Sequence, residues 1–251
     1  MKKLPIGAGT EAIFSMDIEK YMTPRLLAVA NFAKKGSKVA DVGTDHAYIP
    51  IWLVTRGVSD FAVAMDINKG PLLRAKENIT KFNLEDKITT KLSDGLEGLE
   101  KDEADTVIIA GMGGVLINRI LDDAKALYPS IKHFILQPMT AIEETRKFLS
   151  ENGFLIENEC LAKEDDKIYT VLSVIRGKMK IEDEVNLYIG KPLIENRDPL
   201  LKDLLSGRIY ELNKAISLME KTDNESVQNR RNYFTCLRDK MEKIKEACQK
   251  W

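Results

Sequence analysis

The chain has 251 residues, 44% apolar and 31% charged, and its 38 Lys+Arg against 39 Asp+Glu give a formal charge of −1. This composition excludes disordered, collagen-like and disulfide-built proteins, and a globally basic nucleic-acid binder as well, although a local basic face stays open. Three cysteines (Cys160, Cys236, Cys248) form no metal-type cluster and leave an odd thiol, so a reducing cytoplasm and no metal are expected. No apolar run approaches the ~18–20 residues that span a bilayer. The opening MKKLPIGAGTEAIFSM has no apolar block behind its lysines, so no signal peptide is expected.

In chain order, strand-like apolar runs fall at 38–42, 61–67, 87–93, 105–111 and 133–138. Helical stretches separate them at about 47–57, 70–82, 113–127 and 140–151. Strands joined by single helices need right-handed crossovers and predict a parallel sheet covered on both faces. The runs are continuous, not alternating, as strands buried on both sides require. Segments 153–162 and 167–177 have only the acidic turn KEDD between them and predict an antiparallel hairpin at one sheet edge. Composition changes near residue 178, giving an α/β domain over 1–180 and a second unit over 181–251. In the latter, Leu205, Ile209, Leu212, Ile216 and Met219 step by four and three. A similar seam through Val227, Phe234, Leu237, Met241, Ile244 and Cys248 follows the turn Thr222-Asp223-Asn224. That spacing predicts an antiparallel coiled-coil hairpin with arms of some 24 residues, roughly 36 Å each. It serves packing, dimerisation or substrate binding, which leaves the oligomeric state open.

The strand ends carry the chemistry. After the first strand, DVGTDHAYIP (41–50) offers Gly43 for a turn, and the helix that follows can offer unpaired backbone N–H groups to an anionic ligand group. It is not a G-x-G-x-x-G loop. Asp45 would repel a pyrophosphate but can meet the ammonium of an amino-acid moiety, which favours S-adenosylmethionine over a dinucleotide. Asp66 ends the second strand, 23 residues after Gly43, where a carboxylate can accept from both ribose hydroxyls or cap the next helix. Asp94 of Ser93-Asp94-Gly95 can accept from an adenine amine or simply mark a turn. The fourth strand runs into AGMGG (110–114), whose glycines let a ligand approach the backbone.

These strings, DVGTDHAYIPIWL, AMDINKGPL, LSDGL, IIAGMGG and LQP, resemble the bacterial tRNA (adenine(22)-N1)-methyltransferase family, TrmK. The similarity runs from Pro24-Arg25-Leu26 to Gln137-Pro138, and the helical hairpin extends it. It implies a Rossmann-like, seven-stranded methyltransferase sheet with an antiparallel last strand, S-adenosylmethionine as methyl donor and tRNA as substrate, with methylation on the ring nitrogen of adenine 22. The expected cofactor contacts are Arg25, Asp41, Gly43, Thr44, Asp45, His46, Asp66, Ile67, Asp94, Gly95, Ala110, Gly111, Met112 and Gly113.

Methyl transfer from a sulfonium to an unpaired adenine nitrogen needs alignment more than acid–base work, and positioning supplies roughly 7–11 kcal/mol of such a barrier. The chain has no Pro-Cys pair for attack on a pyrimidine carbon and no Asn/Asp-Pro-Pro-aromatic clamp for an exocyclic amine. Candidates to hold the base are His46, Tyr48 and Gln137, by stacking or by pairing with its edge. Each has a structural alternative: backbone donation for His46, core packing for Tyr48, a plain strand end for Gln137. Arg25 can neutralise the donor's carboxylate or pair with an acid, and Asp45 can cap a helix. Residues 178–251 hold 15 Lys+Arg and 13 Asp+Glu, and there Arg230, Arg231 and Arg238 are the expected phosphate contacts or merely a solvated face.

Overall fold

The strands form one seven-stranded sheet in the order β3-β2-β1-β4-β5-β7-β6, in a computed structural model that describes residues 17–220 and 224–248. The strands are β1 (Ser37–Val42), β2 (Ser59–Asp66), β3 (Ile88–Leu92), β4 (Thr106–Met112), β5 (His133–Pro138), β6 (Phe154–Glu164) and β7 (Lys167–Arg176). The first five pair in parallel, with Asp41 beside Ala64 and Ile108, and Asp66 beside Leu92. β7 inserts antiparallel between β5 and β6, so the expected hairpin forms and β6 becomes the edge.

Helices α1 (Pro24–Ala30), α2 (Tyr48–Thr55) and α3 (Lys69–Lys81) cover one face, and α4 (Gly114–Asp123) and α5 (Ile142–Glu151) the other. The runs are apolar throughout because alternate residues serve opposite cores. Val39, Ala62 and Ala64 pack under α1–α3, while Ala40, Val42, Val63 and Met65 pack under α4 and α5. The helix expected over 113–127 stops at Asp123 and tightens into a 3-10 turn over Lys125–Leu127. Helix α1 has no counterpart among the expected elements. Its signal is Thr23-Pro24, in which the Thr23 hydroxyl accepts from the Leu26 N–H and proline occupies the first turn.

The C-terminal unit begins with short helices α6 (Val185–Tyr188) and α7 (Lys191–Glu195), then α8 (Leu201–Met219) and α9 (Glu225–Cys248). The α8 arm has 19 residues, shorter than expected, because residues 196–200 form the turn out of α7. The predicted seam holds toward the hairpin's base, where Leu205, Ile209, Leu237 and Met241 are buried together with Leu212, Ile244 and Cys248 against them; Ile216 is buried outside this core, and Met219, Val227 and Phe234 do not join it. Thr222 and Asp223 of the expected turn, and the opening segment 1–16, lie outside the described residues. The hairpin's base shares its core with Leu161 of β6 and with Val185, Ile189 and Leu193. Among the described residues no helix is long and apolar enough to cross a membrane.

Candidate active site

The carboxyl ends of β1, β2, β3 and β4 open onto two crevices that share Gly43, Ala110 and Gly111 and so form one groove. The first, about 270 Å³, is lined by Asp66, Ile67, Asp94, Gly95, Met112 and Arg119. The second, about 380 Å³, is lined by Tyr21, Arg25, Asp41, Thr44, Asp45, His46 and Tyr48. Of the expected cofactor residues, only Gly113 lines neither; it stands just outside as the N-cap of α4.

Gly43 turns the chain at φ +78°, and any side chain there would run into Met112. The end of the Met112 side chain packs over the Gly43 backbone where the crevices meet. The Gly43 and Thr44 N–H groups are not free for an anion, because both donate to the Met65 carbonyl at 2.8 and 2.9 Å.

Asp66 accepts from the Asn68 N–H at 2.7 Å, and Asn68, not Asp66, occupies the N-cap of α3. The helix-cap alternative for Asp66 therefore falls. Ile67 stands more than half exposed beside it, an apolar side chain at a polar rim. Asp94 is paired with Arg119 of α4 at 3.2 Å but keeps nearly half its side chain exposed. Its reach toward the crevice thus carries a cation with it.

Asp41 is buried, and burial pushes its carboxyl up to about 6 from the ordinary 3.8. The Thr44 hydroxyl beside it pulls the other way and the Asp66 charge adds to the rise. The Thr44 oxygen is itself buried without completing a hydrogen bond. A carboxyl that binds its proton more tightly in the folded chain favours folding fully below pH ~4, and that contribution is lost as pH rises through about 6. Between those limits the protein loses ~3 kcal/mol to this one group, at 1.36 kcal/mol per unit. Urea melts at pH 4.5 and 7.5 will show about 2 kcal/mol of that loss in the wild type, the part that falls between them, and not in Asp41→Asn.

Asp45 does not cap α2, whose N-cap is Ala47 in a left-handed conformation without a side-chain bond. Its carboxylate instead ion-pairs with Arg74 of α3 and lies 3.3 Å from His46 Nε2. Arg74 is a partner that no local motif announces. The His46 ring stacks on Tyr48 with centroids 5.0 Å apart and planes 7° from parallel. Tyr48 both packs on the core and lines the groove, and burial raises its hydroxyl pKa.

Gln137 is a correction. It is fully buried beneath the floor, not in the wall, so it cannot read the edge of a base. Its Oε1 accepts from Arg25 Nη1 at 2.9 Å and from the Gly111 N–H at 3.1 Å, and its Nε2 donates to the Pro138 carbonyl. Gln137 therefore fixes Arg25 and the AGMGG turn. Arg25 also lies 3.6 Å from Glu164 and over the Tyr169 ring, so it lines the groove while paired with an acid.

On the hairpin, Arg230 lies over Phe234 with its charge exposed, and Arg231 is half-buried. Arg238 is another correction. Its guanidinium donates to Asp239 at 2.9 Å and to Asn213 of α8 at 3.3 Å, so it ties the arms together. Among the described residues no cluster of three His, Cys, Asp or Glu could hold a metal ion.

The family model for TrmK, tRNA (adenine(22)-N(1))-methyltransferase, matches residues 39–246. The tRNA (adenine(22)-N(1))-methyltransferase of Bacillus subtilis strain 168 is 32% identical over 236 residues, covering 91% of this chain and 98% of that protein. The structure of Streptococcus pneumoniae Sp1610 in complex with S-adenosyl-L-methionine aligns with a TM-score of 0.79 at 31% identity, over 89% of this chain and 99% of that one. M. capricolum TrmK in complex with S-adenosyl-homocysteine aligns with a TM-score of 0.72 at 30% identity, over 86% and 96% of the two chains.

Proposed function

The chain belongs to the tRNA (adenine(22)-N(1))-methyltransferase family, and from that premise we propose how its own residues carry out the reaction. It is a methyltransferase that uses S-adenosylmethionine and acts on tRNA. The observation that carries the residue assignment is the single groove from Asp66 to Tyr48 across four strand ends. One feature fits the donor: the buried Thr44 hydroxyl, which completes no hydrogen bond among the described residues. When bound, S-adenosylmethionine supplies a methyl group already activated by its sulfonium.

The Asp66 carboxylate holds the ribose hydroxyls, Ile67 covers one face of the adenine ring, and Asp94 with Gly95 accepts from its amine. Ala110, Gly111, Met112 and Gly113 form the floor under the sulfonium. Arg25, held by Gln137, faces the donor's carboxylate, while Asp41 and Thr44 face its ammonium. An ammonium beside Asp41 supplies the countercharge that this buried carboxyl lacks.

The His46 ring, backed by the Tyr48 ring stacked on it, holds the extruded purine of the tRNA with its N1 lone pair toward the methyl group. Asp45, braced by Arg74, fixes the orientation of His46. The residues align the reactants and do not abstract a proton before transfer, because N1 of an unpaired adenine already carries a free lone pair. Two of the site's acids, Asp45 and Asp94, are committed to arginines.

The tRNA body extends over the hairpin, where Arg230 and Arg231 meet phosphates. Replacing both with Gln will reduce the salt slope of tRNA binding by about 0.7–0.9 per lost contact, while Arg238→Gln will leave it unchanged. Fluorescence titrations of tRNA at several salt concentrations read this directly. A protein of this kind works in the cytoplasm, where its substrate is made.

The reading is tested by incubating the protein with labelled S-adenosylmethionine and unmodified tRNA, then mapping the product by mass spectrometry. One methyl group on N1 of adenine 22, absent when that base is replaced by guanine, is the expected result. Methylation at another position would overturn it.

A further inference from the structure

We propose that the ring of Tyr21 is a stacking site for the base next to the methylated adenine, an inference that rests on the reading of the groove given above. Tyr21 ends a 3-10 turn, Ile18–Tyr21, that precedes α1. The turn is fastened, not loose. Ile18 and Met22 are buried, Asp17 accepts from the Glu19 N–H, and Glu19 Oε1 accepts from Trp52 Nε1 at 2.9 Å. Glu19 also ion-pairs with Arg56, so both bonds clamp the turn to α2.

The clamp brings Tyr21 onto Tyr48, with centroids 4.9 Å apart and planes 25° from parallel. Tyr48 in turn stacks on His46, so three rings form one stack along the wall of the second crevice. The His46 end lies against Asp45, in the loop that follows β1. The Tyr21 end lies two rings farther out and is 38% exposed. The Tyr21 hydroxyl makes no hydrogen bond among the described residues, so its ring face is what it offers.

Extruding one base breaks its stack with its neighbour. The target must sit by the donor, at the His46 end, so the outer ring is left for the neighbouring base. An aromatic face takes any base, because every base has a π-face, and alanine substitutions at such platforms weaken binding substantially. Tyr21 thereby restores part of the stacking that extrusion removes.

The test uses the full-length protein with Tyr21→Leu and Tyr21→Phe. Tyr21→Leu raises KM for tRNA about 10-fold or more, changes kcat less than twofold and leaves S-adenosylmethionine affinity by calorimetry unchanged. Tyr21→Phe, which keeps the face and drops only the unused hydroxyl, retains the wild-type KM. Placing 2-aminopurine on either side of the target base gives fluorescence that the wild type quenches on binding and Tyr21→Leu does not. A wild-type KM in Tyr21→Leu overturns the proposal, and so does a fallen kcat with KM unchanged, which would make Tyr21 only a brace for Tyr48. Failure of the groove reading itself would look different, as wild-type protein that leaves the RNA unmethylated, and would take this inference with it.

Discussion

Glu159→Ala will lower the stability of the protein by about 3–5 kcal/mol, the cost of leaving a buried charge without its partner. Glu159 of β6 and Arg146 of α5 are almost wholly excluded from solvent, and they face each other through two bonds, Nε to Oε1 at 3.2 Å and Nη2 to Oε2 at 2.7 Å. The third guanidinium nitrogen donates to the Leu187 carbonyl of α6 at 2.8 Å. The pair therefore joins the sheet, one of its covering helices and the start of the C-terminal unit. Gly190 stands against the same carboxylate, and no side chain would fit there. Arg146→Met with Glu159→Leu removes both charges together and should recover much of the loss, because the uncompensated charge is then gone. Urea unfolding of the three proteins measures this, and a Glu159→Ala variant within 1 kcal/mol of wild type would refute it. The same geometry says where a truncation must not fall. A cut at residue 185 removes Leu187 and uncovers Leu161, so loss of tRNA binding in that fragment would report misfolding as readily as a lost contact.

Asp66→Ala will weaken S-adenosylmethionine binding at least 100-fold. Of the two acids lining the adenosyl end of the groove, Asp94 already has Arg119, whereas Asp66 has no arginine partner among the described residues. Two ribose hydroxyls donating to it make two charge-assisted bonds of about 1.5–3 kcal/mol each, and losing both exceeds two factors of ten. Asp94→Ala should cost less, because Arg119 competes for that carboxylate. Isothermal calorimetry on both variants orders them, and an unchanged affinity in Asp66→Ala would remove the ribose assignment.

The parallel sheet and its hairpin edge were legible because buried strands and helical stretches alternate with little ambiguity, as at 105–111 and 133–138. The strand-end residues were legible for the same reason: once a strand's end is known, Gly43, Asp66 and Asp94 must meet at one rim. What escaped was whatever depends on partners distant in sequence. Asp45 reads locally as a helix cap, and only the fold brings Arg74 to it from 29 residues away. Gln137 reads as a strand-end amide open to a ligand, but its neighbours Arg25 and Gly111 close over it from 112 and 26 residues away. Arg146 and Glu159 sit among polar residues that the sequence assigns to the surface, and their burial follows from the C-terminal unit folding back over β6. Tyr21 belongs to a four-residue turn too short to leave a periodic signal.

A crystal structure with S-adenosylhomocysteine bound tests the central assignment most directly. The account predicts ribose hydroxyls on Asp66, adenine between Ile67 and Gly95, and the amino-acid end beside Arg25 and Asp41. Density for the ligand instead in a separate cavity, such as the one between Pro138–Glu143 and Arg208 of α8, would contradict it.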